Sequence, residues 1–151
     1  MEKLASDIKY VVNANPNMVW DLIGRAIFEG MGPGLSQMKV LDENNFRANL
    51  LVKFFGFIPM PMKLQGEMTD MTPPDTMGVK LTISGLGGFI KSVMAVNFRT
   101  TAVGDDKTEV HNSTILLKLE PAFIAWASMG IIKGQAKSIS NGIQKKLIDW
   151  I

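Results

Sequence analysis

One histidine, no cysteine and a scattered set of carboxylates limit the chemistry open to this chain. His111 stands between Val110 and Asn112 in VHNSTILL, where residues of alternating parity differ in character. Such period-two alternation predicts a half-buried strand. Val110, Asn112, Thr114 and Leu116 share one parity, so His111 is expected to face outward. General-base catalysis needs a nucleophile or an orienting group within hydrogen-bond reach. A lone histidine is more often structural than catalytic, and no catalytic residue is assigned. Without cysteine or a second histidine, a metal site would rest on carboxylates alone. Asp105-Asp106 reads as turn chemistry instead, so no metal ligand and no cofactor is assigned. The SGLGG stretch at 84–88 lacks the lysine of a phosphate loop and opens no helix. It is a turn, or a hairpin able to gate a cavity.

Asn112 and Thr114 are the polar residues of interest. On inward parity they would hydrogen-bond a ligand's carbonyl or hydroxyl. The plainer alternative is a bond to each other or to buried water. The 11 methionines suit either a core or an adaptable binding surface. Lys133, Lys137, Lys145 and Lys146 decorate a C-terminal amphipathic segment. A basic amphipathic helix suits an anionic membrane surface; an ordinary solvated face is the alternative.

These residues need elements to position them. Residues 121–151, PAFIAWASMGIIKGQAKSISNGIQKKLIDWI, predict one long helix with proline at its start. Its apolar stripe runs Trp126, Met129, Ile132, Ala136, Ile139, Ile143, Leu147 and Trp150, spaced by three or four. Gly130, Gly134 and Gly142 each weaken it by about 1 kcal/mol relative to alanine. Their presence suggests close contact with a sheet or room for a ligand. Near the other end, residues 7–14 read as a strand. Asn15-Pro16 then supplies a cap and a first helical residue for a helix ending near Gly30. Gly32-Pro33-Gly34 breaks the chain. Strands follow over 37–41, 44–55, 62–69, 77–84, 90–102 and 108–119. Their regular alternation calls for antiparallel strands with one buried and one wet face. The expected class is α+β: a curved antiparallel sheet of six or seven strands, wrapped around a long C-terminal helix, with one or two short helices after the first strand.

At 151 residues the chain is read as a single domain, 1–151, able to bury about 68–70% of its unfolded surface. The formal net charge is +2, and the 16 basic residues form no stripe with interleaved aromatics, which argues against nucleic acid as a partner. The opening MEKLASDIKYVV lacks the plan of a signal peptide, and the longest apolar run, 122–132, falls short of the ~20 residues of a spanning helix. The expected location is cytoplasmic, with peripheral attachment to the inner face of a membrane as an option.

The order strand, helix, strand meander, long helix resembles the helix-grip fold of the START, birch-pollen-allergen and polyketide-cyclase superfamily. NPNMVWDLI at 15–23 resembles that superfamily's opening P-x-x-V-W-x-x-L. GMGPGLSQMKVLDENNFRANLLVKF at 30–54 and MKLQGEM at 62–68 resemble the branch formed by the G-type accessory proteins of carbon-monoxide dehydrogenase, although Gly32 stands where that branch has isoleucine before Pro-Gly. The resemblance implies a grip cavity that binds a lipid, sterol, quinone or polyketide. The expected wall is Trp20, Phe46, Leu50, Phe54, Leu64, Met68, Leu81, Ile83, Met94, Phe98, Ile132, Ala136 and Ile139, with Asn112 and Thr114 as polar contacts. The expected function is carriage or sensing of a hydrophobic small molecule such as a quinone or lipid. The likeness to the dehydrogenase branch adds an alternative, an accessory protein that attaches an oxidoreductase to the membrane. A cyclase or hydrolase on the same fold is the third.

Overall fold

Local chemistry sets the first elements in place. The computed structural model describes residues 3–29, 35–54, 58–120 and 125–151. Strand β1 covers Lys3–Val12, and helix α1 covers Pro16–Glu29. Asn15 caps α1, its Oδ1 accepting the Met18 N–H at 2.9 Å. Val19, Ile23, Ala26 and Ile27 form the face that α1 buries. Strands β2 (Leu35–Val40), β3 (Asn45–Phe54), β4 (Ile58–Thr72) and β5 (Thr76–Gly85) follow. A 3-10 turn at Leu86–Gly88 leads into β6 (Ile90–Gly104), then β7 (Lys107–Glu120) and helix α2 (Ala125–Trp150). The loop at 30–34, the tip at 55–57 and residues 121–124 lie outside the described residues, so the described helix begins at Ala125.

All seven strands form one antiparallel sheet in the order β1-β7-β6-β5-β4-β3-β2. Six of them are a meander of hairpins. Only β1 crosses over, to pair with β7 from Lys3 opposite Leu116 to Val12 opposite Thr108. The turns carry the expected chemistry. Asp42 Oδ1 accepts the Asn44 N–H at 2.8 Å, and Asp106 takes a positive φ of 52° in the β6–β7 turn.

Two strands are longer than their alternation predicts. β1 begins at Lys3 rather than residue 7, because a bulge between Leu4 and Ser6 breaks the parity there. β4 begins at Ile58 despite Pro59 and Pro61. Its pairing with β5 starts only at Lys63 opposite Ser84, so the prolines lie where β4 has no β5 neighbour to receive an N–H.

The inner face of the sheet and both helices enclose the core. Phe46 of β3 lies opposite Gly66 of β4, and its ring occupies the space a side chain there would need. Phe28 of α1 meets that ring edge-on, with centroids 5.5 Å apart. Trp20 Nε1 donates to the Thr76 carbonyl at 3.1 Å, tying α1 to the start of β5. The Arg25 guanidinium sits 4.2 Å from the Trp150 ring centroid, tying α1 to the end of α2.

Helix α2 has 26 residues and spans about 39 Å. Ala136, Ile139, Ile143 and Leu147 are its buried stripe. Gly130 and Gly134 correct the expectation drawn from them. Both are exposed, and a Cβ built on either meets nothing within 4 Å. At roughly 100° per residue, Gly134 points some 200° away from Ala136, to the solvent side. Neither glycine makes room between helix and sheet.

Candidate functional site

The proposed wall residues share one face. Phe46, Leu50, Leu64, Met68, Leu81, Ile83, Met94 and Phe98 are buried on the sheet's inner side, and Ala136 and Ile139 of α2 are buried in the same core. Trp20 and Ile132 are half-buried and pack against this cluster. The side chain of Phe54 lies outside the described residues, as do those of Trp126 and Met129.

The wall divides into two chemically different halves. From β2 to β5 its buried side chains are apolar. At the β1–β7 seam they are not. Asn112 and Thr114 are essentially fully buried, as their parity predicts. Register places Ser6 opposite Thr114, Ile8 opposite Asn112 and Tyr10 opposite Val110. Directly opposed residues stand on the same face with Cβ atoms about 4.5–5.5 Å apart. On the other side of β7, Val96 and Phe98 of β6 flank Thr114 and Asn112. Ser140 of α2, fully buried, follows Ile139 in the helix that covers this seam.

These polar side chains have no protein partner. Ser6 Oγ, Tyr10 Oη, Asn112 Oδ1 and Nδ2, Thr114 Oγ1 and Ser140 Oγ are all buried without a hydrogen bond. The alternative in which Asn112 and Thr114 bond each other is therefore excluded. An unsatisfied buried polar group costs about 1–3 kcal/mol, and native proteins keep few of them. Thr108, on the same strand and face, behaves in the ordinary way. Its hydroxyl donates to the Ala14 carbonyl at 2.7 Å. Burial pushes the Tyr10 phenol well above its usual value, because the phenolate would lose its hydration.

Ser6, Tyr10 and Ser140 were not singled out from the sequence. The bulge hid Ser6. Tyr10 reads as an ordinary strand aromatic. Ser140 sits beside the apolar stripe, where a small polar residue looks like the helix's wet edge.

His111 is on the outer face, as expected, and its Nε2 hydrogen-bonds Asp7 Oδ1 across the β1–β7 pair. Among the described residues no group of three histidines and carboxylates is placed to hold a metal ion. Outer-face clefts of about 290 Å³ beside Asp70, Arg99 and His111, and about 440 Å³ beside Lys39, Arg47 and Lys63, open to solvent away from the seam. Lys133, Lys137 and Lys145 are exposed. Lys145 lies roughly 120° around the helix from Lys133, and Lys146 is further still from that side. It is half-buried, with Nζ 5.8 Å from the Trp150 ring centroid, and lies roughly 140° around the helix from Lys133. No described helix is long and apolar enough to cross a membrane.

Comparison with solved structures gives the class of fold. A conserved protein from Geobacillus kaustophilus superposes with a TM-score of 0.74 at 16% identity, covering 95% of this chain and 91% of that one. Norcoclaurine synthase from Thalictrum flavum, in complex with a transition-state analogue, gives 0.66 at 13% identity over 99% and 96%. A START superfamily protein from Mycobacterium smegmatis gives 0.64 at 8% identity over 97% and 98%. The chain therefore has the START-type helix-grip fold, in the form also taken by the Zhui aromatase/cyclase from Streptomyces sp. R1128. No family model matches the sequence, and no curated protein matches it.

Proposed function

We propose that this protein binds a hydrophobic small molecule between the inner face of the sheet and α2, as a carrier or sensor. One observation carries the reading: six buried polar atoms without protein partners on β1, β7 and α2, beside an inner face that is apolar from β2 to β5. A ligand with an apolar body and a hydrogen-bonding group would satisfy both halves at once. A quinone or a lipid has that form. The test is native mass spectrometry of the purified chain, followed by solvent extraction and identification of what is released. A stoichiometric apolar adduct is expected. A protein that emerges bare, and that takes up no apolar probe, would remove the reading.

A second reading follows the likeness to the accessory proteins of carbon-monoxide dehydrogenase, in which the chain attaches an oxidoreductase to a membrane. Lys133 and Lys137, exposed one turn apart on α2, favour contact with an anionic surface. Binding to anionic vesicles should weaken with salt, because exposed charges are screened beyond about 8–10 Å near physiological ionic strength. Absence of binding at low salt would return these lysines to an ordinary wet face. Catalysis of the cyclase or hydrolase kind is less favoured. Among the described residues no aspartate, glutamate or histidine is buried in the wall.

A further inference from the structure

The donor inventory of the seam limits what the ligand presents to it. Ser6, Tyr10, Thr114 and Ser140 offer hydroxyls that donate or accept, and Asn112 offers one amide group of each kind. No formal charge stands among them. Among the described side chains no lysine or arginine is buried anywhere, so nothing inside the wall could pair with an anion. An aspartate or glutamate to meet a cation is equally missing from the buried set. An ionised group brought into this setting would lose its hydration with no compensating charge, which is far costlier than an unmade neutral hydrogen bond. Tyr10 does not alter this, since burial keeps its phenol protonated.

We infer that the ligand buries an uncharged oxygen-bearing head, a hydroxyl or a carbonyl, at the β1–β7–α2 seam, and that Ser6, Tyr10 and Ser140 read this head together with Asn112 and Thr114. The inference rests on the carrier reading above and narrows its cargo to neutral amphiphiles. Free fatty acids and phosphate-bearing lipids fall outside it. The head enters the polar seam, and the apolar body lies toward Phe46, Leu64 and Leu81. Ordered water could fill the same positions, and then the seam would be indifferent to the ligand's head.

The test is displacement of Nile red from the purified 151-residue chain at pH 8 by four probes of similar length: 1-decanol, 2-undecanone, decanoate and undecane. Decanol and undecanone are expected to displace the dye at concentrations at least about tenfold below decanoate. Each neutral hydrogen bond is worth about 0.5–1.5 kcal/mol. Thr114→Val and Ser140→Ala should therefore weaken decanol and undecanone by about 3–10-fold each, with undecane unchanged. Neither substitution should lower the melting temperature. Tyr10→Phe, at the other end of the seam, supplies a third readout of the same loss. Decanoate matching decanol, or variants that leave the alcohol and ketone unaffected, would overturn the inference and leave the carrier reading standing. Failure of the wild-type chain to take up Nile red, or of all four probes to displace it, would remove both.

Discussion

Two threonines on one strand and one face mark the difference between the halves of this molecule. Thr108 and Thr114 both lie on the inner side of β7, and both are buried. Thr108 gives its hydroxyl to the Ala14 carbonyl and closes the chain between β1 and α1. Thr114 gives its hydroxyl to nothing. The same contrast holds more widely. Across β3, β4 and β5 the inner face is filled by Phe46, Leu50, Leu64 and Leu81, whose burial is stabilising in itself. Across β1, β7 and α2 a run of polar groups is buried with no partner in the protein itself. Such a contrast within one face is what the proposed binding of a ligand with a polar head would require.

Perturbing the apolar half should have the largest effect. Phe46→Ala removes a fully buried ring that packs on Phe28 and covers Gly66. Loss of such a ring costs about 3–5 kcal/mol, readable as a lower urea midpoint. Gly66→Ala attacks the same contact from below. Its Cβ would fall within 2.1–2.5 Å of the Phe46 ring carbons, so the ring must leave its place. Overpacking of this sort costs about 1–3 kcal/mol.

The two threonines give the sharpest comparison. Thr108→Val should cost about 1–3 kcal/mol, because the buried Ala14 carbonyl loses its donor. Thr114→Val should cost nothing or stabilise, because it replaces an unpartnered hydroxyl with a methyl of the same shape. Equal losses in thermal unfolding at the two positions would erase the distinction between the halves.

A smaller gain is expected on the solvent side of α2. Gly134→Ala meets open space and removes backbone entropy from the unfolded chain. About 0.5–1 kcal/mol of added stability should follow. A loss instead would mean that this position touches something on binding or assembly. Acid should have the least effect. The Asn44 N–H, and then the Asn45 side chain, hold the Asp42 carboxyl below its ordinary 3.8, and the Thr72 and Thr76 hydroxyls do the same for Asp70. A depressed folded pKa adds stability that is present above the unfolded value and lost as pH falls through the folded one. Stability should therefore dip slightly below about pH 4, and Asp42→Ala should flatten part of that dip in an acid titration followed by circular dichroism.

The sequence carried most of the sheet because alternation in Phe46–Leu50, Leu64–Met68 and Leu81–Ile83 reports burial directly. The same parity put Asn112 and Thr114 inside and His111 outside. It failed where local signals conflict with tertiary context. Pro59 and Pro61 mask the start of β4, because a proline looks forbidden until the neighbouring strand is known to begin later. Ser6 shares the parity of Ile8, Tyr10 and Val12, but it stands one residue before the stretch read as a strand, because the bulge at Leu4–Ser6 breaks the alternation just ahead of it. Gly130 and Gly134 suggest a close approach, but their direction around the helix axis sends them to solvent. Ser140 is invisible for a different reason. Its burial depends on which side of α2 meets β1, and a serine beside a stripe does not announce that.

The crossover that brings β1 against β7 also places the polar seam in time. β2 to β7 can grow as successive hairpins, each closing a short loop. β1 must be carried across the whole sheet to meet its partner, Lys3 against Leu116, and α2 must then cover both. Ser6 and Tyr10 come from the first strand, Asn112 and Thr114 from the last, and Ser140 from the closing helix. The site therefore exists only when the two ends of the fold have met, and local opening of β1 dismantles it while leaving the six-strand meander paired. The proposed ligand would act as a clasp on that closure. Occupancy should slow amide exchange in β1 and α2 and leave β3 and β4 unchanged.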